Sequence, residues 1–237
     1  YGDNDEVEAW GSSNYGGSGV PNNLSGVTAI YSTQNAFAAV YGDNDEVKAW
    51  GSSSYGGDGV PEGLTDVKSI YSTYFAFAAL KEDGTVSAWG ASWAGGNEPS
   101  GLNGVKAIYS AANAFVAVYG DNDEVEAWGS SNYGGSAPSG LSGVKTIYSN
   151  GNAFAALKED GTVSAWGYSG YGGSDVPSGL TGVKTISYGN SFYQGQYYSS
   201  TVPVYVLLLP PAAPICFPKG TPVTTDQGII AIEKLNT

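Results

Sequence analysis

An all-β fold made of repeated short strands is the class that three features of this 237-residue chain predict. The first is texture: 36 glycines and 18 tyrosines beside only 13% charged residues suit tight turns and half-buried strands, whereas helices need Lys, Glu and Arg on their exposed faces. The second is a tryptophan that recurs at Trp10, Trp50, Trp89, Trp128 and Trp166, with spacings of 40, 39, 39 and 38 residues. The third is that the segments around it recur too, among them EVEAWG at Glu6, EVKAWG at Glu46 and TVSAWG at Thr85. A near-constant period marks a repeat architecture. Strands too short to bury a face alone, with Trp and Gly at fixed places in each period, predict the blades of a β-propeller. A β-solenoid is the competing architecture, but its coils are usually shorter.

Within each unit, a Leu-x-x-Val-x-x-Ile segment (Leu24, Val27 and Ile30; Leu141, Val144 and Ile147) predicts a first strand. An apolar run reading NAFAAV, FAFAAL or NAFAAL predicts a second. Turn chemistry sets the connection that follows. Two units carry Lys-Glu-Asp-Gly-Thr (Lys81 to Thr85, Lys158 to Thr162), where Asp-Gly supplies the positive φ of a tight hairpin. The other units carry YGDNDEV, one residue longer; Asp43-Asn44-Asp45 suits the wider turn because Asn and Asp tolerate the left-handed region. The Trp-bearing strand then leads into a Ser- and Gly-rich loop, SSNYGG or SSSYGG. Three or four strands per unit give about five blades of roughly 39 residues over residues 1–209.

Ring closure is open at this level. Residues 5–11 read as the second half of a hairpin and need a partner strand from elsewhere, for which the apolar Val202 to Leu209 is the available candidate. If the two pair, the ring has five blades; if they do not, the chain is an arc of a larger ring. Pro210 to Pro214 then reads as a stiff linker, and residues 215–237 as a short non-propeller tail that holds the only cysteine, Cys216.

Composition removes several function classes. A net charge of −13 repels phosphate backbones and anionic membrane surfaces, so no nucleic acid is expected as a partner. The most apolar run is too short to span a bilayer, so no membrane insertion is expected. With no histidine in the chain, neither a Ser-His-Asp triad, a Cys-His pair nor a His-based zinc site can be assembled from it alone. No cofactor and no metal are expected, and the acidic turns Asp3 to Glu6, Asp43 to Glu46 and Asp121 to Glu124 are read as solvated turns.

The repeated tryptophans are read as packing between blades rather than as platforms for sugars. The candidate binding rim lies in the Ser-Gly loops, which bring Tyr15, Tyr55, Tyr133 and Tyr171 to corresponding positions, with Trp93 nearby in the third unit. Tyr and Trp among Ser, Gly and Asn make adaptable contacts at low entropic cost, a composition shared with protein-binding paratopes. A protein partner is expected, and the acidity of the chain favours a basic one.

The stretch GVKTIYSNGNAFAALKEDGTVSAWG (Gly143 to Gly167), with its following YGGSDVPSGLTGV, resembles the blade repeat of the regulator of chromosome condensation family. It is more similar still to the short-blade propellers that inhibit β-lactamase. The resemblance implies a propeller and a non-enzymatic module; inhibition of a β-lactamase is a weaker implication. Where the chromosome-condensation repeats carry Gly and His, this chain has Tyr31, Ser32, Asn35 and Ala36, so nucleotide exchange on a small GTPase is not implied.

The tail CFPKGTPVTTDQGIIAIEKL resembles the opening of the hedgehog and intein (Hint) self-processing fold, with Cys216, Gly220, Thr221, Val223, Thr225, Gly228, Ile232, Glu233 and Leu235 in register. That resemblance implies that Cys216 would attack the carbonyl of Ile215, but only if the rest of such a domain followed. It also implies a secreted, surface or viral setting. A buried structural cysteine in a closing strand is the alternative reading.

Overall fold

A computed structural model of the chain describes residues 7–22, 24–174 and 176–189, together with the strands Val204–Leu208, Pro222–Thr225 and Gly228–Ala231. Four three-stranded antiparallel meanders follow one another. They are β1 (Val27–Ser32), β2 (Ala36–Tyr41) and β3 (Glu46–Gly51); β4 (Val67–Ser72), β5 (Ala76–Lys81) and β6 (Val86–Gly90); β7 (Val105–Ser110), β8 (Ala114–Tyr119) and β9 (Glu124–Gly129); and β10 (Val144–Ser149), β11 (Ala153–Lys158) and β12 (Val163–Gly167). Next come β13 (Thr185–Gly189) and β14 (Val204–Leu208), an antiparallel pair with the order and sense of a blade's first two strands. A separate hairpin joins β15 (Pro222–Thr225) to β16 (Gly228–Ala231). Among the described residues, four blades are complete and a fifth has two strands.

The middle strand of each blade explains why its sequence is a run of small apolar residues rather than an alternation. Ala76, Phe77, Ala78, Ala79 and Leu80 of β5 are all buried, because a blade lies against each face of the sheet. Alternate residues take opposite sides. Ala36, Ala38 and Val40 join Leu64, Val67, Ile70 and Phe77 of the next blade in one cluster, and Ala76, Ala78 and Leu80 join Val105, Ile108 and Phe115 in the next. The core is thus a series of interfaces between blades, which is the propeller arrangement.

The same three-residue lock recurs four times along the chain. Trp50, Trp89, Trp128 and Trp166 are buried, stack on Phe37, Phe77, Phe115 and Phe154 of their own blades, and donate an indole N–H to a glycine carbonyl one repeat back. The acceptors are Gly16, Gly56, Gly95 and Gly134, at 3.1, 3.1, 3.0 and 2.9 Å. A Cβ on Gly95 would stand 2.5 Å from Phe115 Cδ2, and its φ of +98° is one that side chains rarely adopt, so this position requires glycine twice over. The packing reading of the tryptophans holds at these four positions; Trp10, in contrast, is 87% exposed.

The turns lace the blades at one end of the sheets. Gly84 and Gly161 of the short turns, at φ +79° and +78°, each present a carbonyl to the start of the next blade, at Val105 N in β7 and at Val183 N just before β13, both 2.9 Å away. In the longer turns Asp45 and Asp123, at φ +47° and +50°, present theirs to Val67 N and Val144 N. A left-handed residue is needed at this point in both versions. Glycine supplies it in one and aspartate in the other, the tolerance read from the sequence.

Candidate protein-binding face

The opposite end of the sheets is built from two kinds of loop. The hairpin tips joining the first and second strands of each blade lie beside single-turn 3₁₀ helices that follow the Trp strand: Ser13–Tyr15, Ser53–Tyr55, Ser92–Ala94, Ser131–Tyr133 and Ser169–Tyr171. Each 3₁₀ turn ends on a left-handed glycine, the one held by tryptophan in four of the five cases. Hydrogen bonds tie tip to turn. Thr33 Oγ1 donates to the Tyr55 carbonyl at 2.9 Å, Thr73 Oγ1 to that of Ala94 at 3.1 Å, and Asn150 Nδ2 to that of Tyr171 at 2.7 Å. A main-chain relay then links the tips: Gln34 N donates to Tyr74 O, Tyr74 N to Ala112 O and Ala112 N to Gly151 O.

Blade three breaks the tip pattern. Ala111 stands where Thr33, Thr73 and Asn150 stand in the other blades, and the buried Asn113 Oδ1 beside it has no donor among the described residues.

The structure sorts the rim residues by exposure. Tyr15 and Trp93 are more than half exposed, at 57% and 55%. Tyr55 and Tyr133 are half-buried members of the inter-blade cores, and Tyr171 is half-buried with its ring 5.3 Å from Tyr168 in an edge-on contact. In the third loop the position equivalent to these tyrosines is Ala94, fully buried, while Trp93 precedes it and projects outward.

Sequence reasoning missed three aromatics. Phe75, at the tip between β4 and β5, lies between Tyr55 and Trp93 with both ring centroids 4.7 Å away, and Tyr74 meets it edge-on at 6.5 Å. Tyr74 and Tyr168 are exposed. The available signal was the tip itself, which reads Thr-Tyr-Phe at 73–75 where the other blades have Thr-Gln-Asn, Ala-Ala-Asn and Asn-Gly-Asn. Beside Tyr74 an open pocket of about 400 Å³ is lined by neutral groups, including Ser32, Thr33, Gln34, Ser72 and Thr73.

This face carries no formal charge. Residues 11–17, 32–36, 51–57, 72–76, 90–96, 110–114, 129–135, 149–153 and 167–173, which form its tips and turns, include no Asp, Glu, Lys or Arg. Acidic residues collect at the other end, as in Asp43 and Asp45, Glu82 and Asp83, Asp121 and Asp123, and Glu159 and Asp160. There Asp83 and Asp160 are held below the usual carboxylate range, first by the side-chain hydroxyls of Thr85 and Thr162 and then by the backbone N–H groups of the same residues. The expectation of a basic partner, drawn from net charge, therefore points to the far end of the sheets and not to the aromatic face. Cys216 and the Ile215 carbonyl lie outside the described residues.

No family model matches the chain, and no curated protein matches it either. Solved structures do. The chain is similar to the ectodomain of the receptor kinase CR4 from Physcomitrella patens, with 19% identity and a TM-score of 0.52 over 73% of this chain and 49% of that one. It is also similar to Prp20p of Saccharomyces cerevisiae, at 20% identity, TM-score 0.43, and 60% and 43% coverage, and to human WBSCR16, at 21% identity, TM-score 0.45, and 65% and 51% coverage. The chain thus spans about half the length of these three solved structures, and its likeness to the CR4 ectodomain is one of propeller fold.

Proposed function

We propose that the chain is a non-enzymatic propeller module that binds another protein through the face formed by its hairpin tips and 3₁₀ turns. The observation that carries this reading is the exposure of Tyr74 and Trp93 around Phe75 on a surface without formal charge, in a chain whose net charge is −13. Solvent-facing aromatics among Ser, Thr, Asn and Gly offer large contact area with few rotatable bonds, and no charge has to be desolvated when a partner docks. Tyr15 and Tyr168 extend the same face, while Tyr55, Tyr133 and Tyr171 support it from the half-buried layer.

Affinity capture from one protein mixture tests this, comparing the native chain, a Tyr74→Ala/Trp93→Ala variant and a Glu82→Gln/Asp121→Asn variant altered at the opposite end. The aromatic variant is expected to lose at least about tenfold of the captured partner, the scale of one lost hot-spot residue. The acidic-end variant should capture as the native chain does. Equal capture by the aromatic variant, or loss confined to the acidic-end variant, would remove this face.

The tail supports a second, separate reading, a self-processing element with Cys216 as its nucleophile, because its motif residues are in register with the Hint opening. With no histidine in these 237 residues to polarise the scissile amide, the Ile215–Cys216 bond is expected to stay intact in dithiothreitol; a fragment ending at Ile215 on mass spectrometry would show that histidine is dispensable.

A further inference from the structure

The leading face of the first blade lacks the cover that every later blade has. Ile30 is 49% exposed, whereas Ile70, Ile108, Ile147 and Ile186, at the same place in their blades, are 2–4% exposed. Ile70 is covered by Ala38 and Val40 from the second strand of the preceding blade. In front of Ile30 there is instead an open groove of about 380 Å³, bounded by Val7, Trp10, Tyr15, Ile30, Phe37 and Trp50. Trp10 lies at its edge, and among the described residues 7–11 belong to no strand.

Two pieces of the chain match the missing blade. Residues 6–11 read EVEAWG, identical to β9 residues 124–129, which form the outer strand of the third blade. At the other end β13 and β14 already pair as a first and second strand, with Ile186 opposite Leu207 as Ile108 is opposite Ala117, and Thr185 opposite Leu208 as Ala107 is opposite Val118. Among the described residues that sheet has no third strand, and residues 7–11 have no strand beside them.

We infer that residues 7–11 pair antiparallel on the edge of β14 left open among the described residues, so that they complete a fifth blade with β13 and β14 and close the ring against Ile30. The repeat fixes the register. Because β8 and β9 pair Phe115 with Trp128 and Val116 with Ala127, the closing pair sets Tyr205 opposite Trp10, Val206 opposite Ala9 and Leu208 opposite Val7. Positions 206 and 208 then hold the places that Ala38 and Val40 hold before Ile70. Trp10 comes to the place of Trp128, and Gly172, left-handed at φ +84° at the end of the fifth 3₁₀ turn, to that of Gly95. The occupant of the groove is therefore this chain's own β13–β14 hairpin, argued by continuity with interfaces that the fold already repeats.

The pairing also says which amides close. In β6 the Ala88 N–H points away from the neighbouring strand, to the Glu98 carboxylate at 3.0 Å, and in β9 the Val125 N–H points outward to Leu141 O at 3.1 Å. Ala9 and Val206 would accordingly form a non-hydrogen-bonded pair, whose short Cα separation suits a disulfide. Glu8 and Trp10 would direct their N–H groups to β14.

The test uses the full chain with Cys216→Ser, carrying either Ala9→Cys with Val206→Cys or, one residue out of register, Ala9→Cys with Leu207→Cys. In a glutathione buffer the first pair is expected to form an intramolecular disulfide in at least about tenfold greater yield than the second, since a one-residue slip moves the side chain to the other face. Crosslinks formed only between chains would mean that a second copy fills the groove, and would overturn the inference. So would no crosslink in folded protein, or equal yield from both pairs. Should the cysteine variants fold poorly, hydrogen exchange on the unaltered chain decides: the amides of Glu8 and Trp10 are expected to be protected to within about tenfold of those of Glu126 and Trp128, and free exchange at Glu8 and Trp10 would overturn the closure.

Discussion

Gly95→Ala gives the sharpest test of how the blades are held together. The substitution places a methyl group 2.5 Å from Phe115 Cδ2 and 2.9 Å from Cε2, at a φ of +98°. The backbone strain costs about 1–2 kcal/mol. Forcing an extra carbon into a packed interface costs about 1–3 kcal/mol more. The sum, about 2–5 kcal/mol, corresponds to a fall in Tm of roughly 5–20 °C for a chain of this size. Gly101 is an internal control, because it also has positive φ, at +79°, but a Cβ there meets nothing within 4 Å. Gly101→Ala should cost only the strain, about 1–2 kcal/mol. Phe115→Val removes Cδ2 and Cε2, the atoms that the new methyl would strike, so Gly95→Ala combined with Phe115→Val should lose about 1–3 kcal/mol less than the two single changes added together. Thermal unfolding followed by circular dichroism and tryptophan fluorescence reads all four variants. If Gly95→Ala costs no more than Gly101→Ala, or if the double variant is simply additive, the glycine is not held by the ring and the lock has been misread.

Two further outcomes follow from the loops. Ala111→Thr should raise stability by about 0.5–1.5 kcal/mol in urea unfolding, by giving the third blade the cap that Thr73 provides in the second, where Oγ1 accepts from Phe75 N and Ala76 N and donates to Ala94 O; a neutral or destabilising result would show that the tip has no room for it. Asp83 and Asp160 have folded-state values depressed mainly by Thr85 and Thr162, so the stability they contribute is present above the ordinary carboxylate value of about 4 and is lost as pH falls through the lower folded value. Asp83→Asn/Asp160→Asn should therefore differ from the native chain at pH 6 and converge with it in strong acid, and a difference that persisted there would assign the effect to something other than charge.

Much of this fold was legible in the sequence because its determinants are local and repeat. The Trp spacing marked the blades, and Asp-Gly or Asp-Asn-Asp marked the turns whose left-handed residue turned out to reach the next blade. Burial was less legible, because it depends on what lies one blade away. The six residues EVEAWG occur at 6–11 and at 124–129, yet Trp10 is 87% exposed and Trp128 is 5% exposed. No property of the hexapeptide distinguishes them; only the neighbouring blade does. The rim tyrosines illustrate the same limit. Tyr55 and Trp93 are equivalent candidates by composition, and both rings lie 4.7 Å from Phe75, but Tyr55 also packs against the core between two blades while Trp93 stays 55% exposed. Net charge sums over both ends of the sheets; the segments without Asp, Glu, Lys or Arg stand in the sequence, but only the topology shows that they gather at one end.

The relay through Gln34, Tyr74, Ala112 and Gly151 uses only backbone groups. These four residues are an amide, a phenol, a methyl and a hydrogen in side-chain terms, and each of them takes its place in the same line of bonds. Gln34, Tyr74 and Ala112 can therefore exchange their side chains without breaking this line, because the bonds that seat them are indifferent to residue type, whereas Gly151, at φ +87°, is held to glycine by its backbone. The scaffold behaves as a frame with interchangeable fittings, in which a new recognition surface could be installed one loop at a time while the Gly-Phe-Trp locks below it stay as they are.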